Sequence, residues 1–144
     1  MMHLYLLGAA AFLSSLLVVL HLGIIWMGAP AYRYFGAGEA MARLAERGSH
    51  IPGLVTLAAT ALFALAALYP LSAAGWAPRL PFLRHGLACI AAVYTLRGAL
   101  LVLQLARRGA TELPVRELVF SAVSLTIGLV YVAALASVWG KLRS

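Results

Sequence analysis

"IAAVYTLRGALLVLQLARR", Ile90 to Arg108, is apolar enough to lie in lipid, yet it carries one arginine, Arg97, well inside the run. Composition says the lipid reading governs. Of 144 residues, 64% are hydrophobic and only 10% are charged, where an average soluble domain is about half apolar and about a quarter charged. So few charges do not cover a water-facing surface, and the apolar residues come in long runs. The length suits one membrane domain and leaves no room for a second, soluble one.

Apolar run length predicts an all-α integral membrane fold, a bundle of four transmembrane helices. The spans run from about Leu4 to Gly28, Ile51 to Ala74, Phe82 to Ala106 and Val115 to Trp139. Each has roughly 20 residues or more, enough for a hydrocarbon core about 30 Å thick. There is no alternating pattern of the kind a β-barrel needs. The N-terminal run lacks a positive leading segment and is too long for a signal sequence, so it is read as a retained first span.

Boundary residues support these limits. Ser49 and Thr111 stand where they can cap the second and fourth helices, with Pro52 and Pro114 in the first turns, where a missing N–H is tolerated. "WAPRLP", Trp76 to Pro81, reads as a tight turn. Trp26, Tyr32 and Tyr34 would mark one membrane interface, and Tyr5, Tyr69, Trp76 and Trp139 the other. Between the first two spans, "FGAGEAMARLAERGSH" places Met41 and Leu44 on one face and Glu39, Arg43 and Glu46 on another. That pattern predicts a short amphipathic helix lying at the interface, ended by Gly48.

Four spans put both termini on one side. That side holds Arg79, Arg84, Lys141 and Arg143, while the other holds Arg33, Arg43, Arg47, Arg107, Arg108 and Arg116. The larger basic set favours the second side as cytoplasmic and the termini as non-cytoplasmic. The Ala/Leu/Arg-rich style of the chain suggests a bacterial inner membrane.

The residues also exclude chemistry. Glu39, Glu46, Glu112 and Glu117 are the whole acidic set, and there is no Asp or Asn. Aspartyl phosphate, EF-hand loops and N-glycosylation acceptors are therefore impossible. The net charge of +7 does not indicate nucleic acid, because the basic residues sit at span ends and are not clustered with aromatics. They suit lipid headgroups. Cys89 is the only cysteine, so neither an intrachain disulfide nor a CxxC motif exists, and it reads as a small buried hydrophobe.

Polar residues inside the spans mark where a site would lie. Arg97 is about ten residues, or ~15 Å, from the cytoplasmic end of the third span, and His21 is about seven residues, or ~10 Å, from that end of the first. Tyr94 and Gln104 fall on the Arg97 face at helical spacing. In the fourth span Glu117, Ser121, Ser124, Gly128 and Tyr131 form one stripe. In the second, Gly53, Thr56, Thr60 and Ala64 form a stripe of small residues suited to close helix contact, whose threonines can hydrogen-bond across it. Ser14 shares the face of His21. Since polar groups facing acyl chains are costly, these stripes are expected to face the bundle interior. The candidate ligand-binding set is Arg97, Glu117, His21, Gln104, Tyr94, Ser121 and Ser124, with His50 and Glu39 from the adjoining loop. No catalytic or metal set is predicted. Arg97 reads as an anion or headgroup site or as half of an ion pair with Glu117; the structural alternative is a bond to carbonyls or to Glu117 that locks the bundle, and a third reading is a contact with another protein subunit. Glu117 also complements the helix dipole in its first turn.

No cofactor is predicted. Haem in a helical bundle takes two axial ligands; His3 with His85, or His21 with His50, share a side, but neither pair has a diagnostic spacing. No HExxH, GxSxG, P-loop or GxGxxG pattern occurs. "HLGIIWMGAP", His21 to Pro30, is similar over ten residues to the His…Trp-x-Gly span of copper-resistance D-type membrane proteins. The four-span size resembles DoxX-like and MAPEG proteins, although the asparagine-containing motif of the latter cannot occur here. These likenesses carry no residue over and assign no family. The expectation is a non-enzymatic membrane protein that binds or conducts a small or anionic molecule. It would contact lipids and work as a homo-oligomer or with partner membrane subunits. The alternatives are an accessory subunit of a larger complex, or a haem-, quinone- or lipid-handling enzyme.

Overall fold

A computed structural model describes residues 1–108 and 114–142. Among them every regular element is helical. In chain order these are α1 (Met2–Met27), α2 (Ala29–Tyr34), α3 (Glu39–Glu46), α4 (Ile51–Ala73), α5 (Leu83–Arg108) and α6 (Val115–Val138). Four of them, α1, α4, α5 and α6, are long and apolar enough to cross a membrane. They fall on the four runs expected from the sequence. The predicted cap at Thr111 lies outside the described residues.

The long helices hide little of themselves. Only 22–28% of each apolar window is buried. Val93, Leu96, Leu100, Val119, Leu129 and Val132 are among many large side chains left exposed. A helix apolar on all sides with most of that surface uncovered requires lipid or protein around it.

The chain divides into two compact units: Met1–Leu13 with Ala66–Ser144, and Ser14–Leu65. In the first, α5 and α6 form the most extensively packed pair, and they run antiparallel. A Cβ added at Gly98 would lie 2.5 Å from the backbone N and Cα of Leu125, and one at Gly128 would lie 2.6 Å from the Thr95 backbone N. Each helix thus offers a glycine to the other's backbone, and the two chains approach as only small residues permit. One end of this pair is tied by the Arg84 guanidinium, 3.4 Å from the centroid of the Trp139 ring, a cation–π contact. Leu7 packs against Ala134 and Val138 in the same unit.

Pro70 lies inside α4. It has no N–H, so the carbonyl of Ala66 one turn earlier loses its helical donor. The buried Tyr131 hydroxyl donates to that carbonyl at 2.9 Å. One tyrosine of α6 therefore repairs a proline defect in α4, while its ring stacks on Tyr94 at 5.6 Å. After α4, Gly75 adopts φ 78° and closes a Schellman motif, with Trp76 N–H on Leu71 O and Gly75 N–H on Ser72 O. The Ser72 hydroxyl donates to Pro78 O and accepts from Leu80 N–H, both at 2.8 Å, which fixes the turn into α5.

In the second unit, α2 and α3 fold against the end of α1. Ile24, Ala31, Tyr32 and Ala42 form their core, with Leu20, Phe35 and Met41 packed on it. Tyr32 is therefore buried, whereas the sequence placed it in an interfacial belt; Trp26 and Tyr34 are exposed. The helix expected around Met41 is present as α3, preceded by an additional short helix, α2. Gly48, at φ 75°, ends α3 with the same Schellman pairing, Ser49 N–H on Leu44 O and Gly48 N–H on Ala45 O. The Ser49 hydroxyl accepts the Ile51 N–H at 3.3 Å, the cap expected at the start of α4.

Candidate functional site

The rotation of α5 decides where Arg97 points. Leu83, Leu87, Ala91, Tyr94 and Gly98 are its buried positions, recurring every three or four residues as one helix face. Gly98 must meet Leu125 for α5 and α6 to come so close. Arg97 is one residue away, about 100° around the helix, and this turns it outward. It is exposed beside Val93, Leu96 and Leu100. The sequence placed Tyr94 on the same face; the structure buries Tyr94 in the α5–α6 seam and leaves Arg97 on the flank.

Arg97 has no hydrogen bond or ion pair among the described residues. Glu117 is exposed in the first turn of α6 and makes no pair with it. Along the antiparallel pair Arg97 stands near Leu125, eight positions further along α6 than Glu117, or ~12 Å. The Gln104 side chain lies outside the described residues. His21 belongs to the other unit. Its Nδ1–H donates to Leu17 O at 2.8 Å, and its ring lies 4.6 Å from that of Phe63. This bond leaves Nε2 as the acceptor nitrogen of the neutral ring.

The stripe on α6 does turn inward over Ser124, Gly128 and Tyr131, which are buried, while Ser121 is half-buried. Its serine, however, bonds its own helix: Ser124 donates to Phe120 O at 2.9 Å. On α4, Thr56 donates to Pro52 O and Thr60 to Thr56 O, each at 2.8 Å. The expectation was bonding across helices. Back-bonding to the residue four earlier is the local competitor, and in a tightly packed apolar seam it satisfies the hydroxyl without a second partner.

The best-connected charged group is one the sequence counted only as a topology signal. Arg33, at the end of α2, donates from Nε to Glu39 Oε2 at 2.9 Å, from one Nη to Glu39 Oε1 at 3.1 Å, and from the other to Glu46 at 2.7 Å. Arg43 adds a bond to Glu39 at 3.1 Å. This bidentate clasp joins both ends of α3 to α2. It holds the Glu39 carboxyl down at about 2, chiefly through the hydrogen bond from Arg33 and then that from Arg43. Glu46 is lowered by Arg33 as well. The legible part of the signal was the spacing of Glu39, Arg43 and Glu46 within one helix; Arg33 joins them from beyond the Gly36–Gly38 turn. Gly98 was missed too, though a lone glycine inside an apolar helix carries a propensity cost that usually has a packing reason.

Among the described residues, no group of three or more His, Cys, Asp or Glu comes together to hold a metal ion. Comparison with protein-family models, with curated proteins and with solved structures gives no match.

Proposed function

We propose that the chain is a multi-pass membrane protein, spanning with α1, α4, α5 and α6, and that its working surface is the outward flank of α5. There Arg97 receives an anionic group from outside the chain. One observation carries this reading: a guanidinium is exposed deep within an apolar helix and has no partner among the described residues. Facing acyl chains, an arginine mid-span costs roughly 2.5–3.5 kcal/mol on insertion scales. An anion at Arg97 offsets part of that cost, against its own desolvation, and so favours occupancy over exposure to lipid. The role is binding and assembly, as in a subunit of a larger membrane complex. The α2–α3 clasp would lie at the membrane surface on the cytoplasmic side of a bacterial inner membrane, where its charges stay in water.

The test compares wild type with Arg97→Leu and Arg97→Lys in membranes of the cell that makes the protein. Arg97→Leu is expected to insert normally but to lose its place in the native assembly, read as a fall in apparent mass on native electrophoresis in mild detergent. Arg97→Lys retains charge but not the planar fork and is expected to be intermediate. If Arg97→Leu migrates as wild type does, the surface around Arg97 has no such role.

A further inference from the structure

We infer that the anionic group received by Arg97 is a carboxylate borne mid-span by a different membrane protein; this rests on the reading of the α5 flank just given. Among the described residues and the common anion sources, each alternative fails on chemistry or on level. Within the chain, Glu39 and Glu46 are engaged by Arg33 and Arg43. Glu117 stands in the first turn of α6, about two turns from the level of Arg97. Glu112 falls in the sequence between α5 and α6 and lies outside the described residues.

A second copy in the same orientation supplies nothing better. It brings its own Arg97 to the same depth, a like charge, and its Glu117 to the same distant level. A lipid phosphate is too far away. Arg97 is about eleven residues, ~16 Å, from the end of α5 at Arg108, and ~21 Å from its start at Leu83, further than an arginine side chain extends. A free anion would have to shed its water against Val93, Leu96 and Leu100, which are exposed and apolar.

A transmembrane helix carrying Asp or Glu meets every requirement. Its apolar surface covers those three side chains, and its carboxylate reaches the fork at depth.

The experiment places a photoreactive benzoylphenylalanine at Leu100 of the full chain. It is irradiated in membranes of the cell that makes the protein, and the cross-linked peptide is sequenced by mass spectrometry. The expected product is a peptide of another protein, with Asp or Glu inside an apolar segment. Its yield should fall roughly three- to twentyfold in Arg97→Leu, the change matching one interhelical polar contact in lipid, and recover in part in Arg97→Lys. A lipid adduct, a peptide of this same chain, or a foreign peptide without a carboxylate overturns the inference. Any of these three, if it depends on Arg97, leaves the binding role of the flank standing. Cross-linking that is unchanged in Arg97→Leu overturns both.

Discussion

Replacing Gly98 by alanine adds one methyl group, and its consequence follows from the α5–α6 crossing. The new Cβ would sit 2.5 Å from Leu125 N and Cα. These are backbone atoms of a helix and have no rotamer with which to move aside. Restoring ordinary contact requires the helices to part by about 1 Å, and a gap of that size forfeits a quarter to a half of each dispersion contact across it. With on the order of 30 atom pairs at ~0.1–0.2 kcal/mol each, the loss is roughly 1–2 kcal/mol, within the range for overpacked cores. Gly23 is the control, since a Cβ there meets nothing within 4 Å. Unfolding free energies of the purified variants, measured by denaturing-detergent titration in mild micelles, should separate the two. Gly98→Ala should lose roughly 1–2 kcal/mol, and Gly23→Ala should stay within about 0.5 kcal/mol of wild type. Gly128→Ala should behave like Gly98→Ala, and the double variant should lose less than their sum, because one opening relieves both clashes. A Gly98→Ala protein as stable as Gly23→Ala would refute the close crossing, and with it the reason given for the direction of Arg97.

Tyr131→Phe should cost about 1–3 kcal/mol, because it removes the hydroxyl that stands in for the donor Pro70 takes from the Ala66 carbonyl. In a Pro70→Ala background that carbonyl regains a helical N–H, and the same substitution should cost clearly less in the same titration. Ser72→Ala removes both bonds that hold the α4–α5 turn and should cost about 1–2 kcal/mol, with faster amide exchange at Leu80. For the α2–α3 clasp the sign is fixed by Glu39. Its folded value is depressed, so its contribution is present above about pH 4.5 and is lost as pH falls toward about 2. A carboxyl-carbon NMR titration of Glu39 should find its midpoint near 2, and Arg33→Gln should move it up toward the ordinary carboxylate value.

The four spans were legible because chain composition reports the solvent directly. Long runs without charge leave no alternative to an apolar surrounding, and helix ends follow from local signals such as Ser49, Pro52 and Gly48. Ser124 and Tyr131 were correctly read as inward, since polar groups on one side of an apolar helix mark its seam. The clasp was only half legible. The Glu39–Arg43 spacing lies within one helix, whereas Arg33 joins through a turn whose path the sequence pattern does not state.

Sequence alone was therefore enough for the all-helical class and for the number and approximate limits of the long helices. Tertiary structure alone decided the rotation of α5. In α5 the apolar residues surround the axis, so no periodic signal says which side faces a neighbour. The Gly98–Leu125 approach makes that choice through sterics, seating Tyr94 in the seam and turning Arg97 out of it. The inward arginine expected from polar cost assumed a self-sufficient bundle. In the structure Arg97 is exposed on the α5 flank instead.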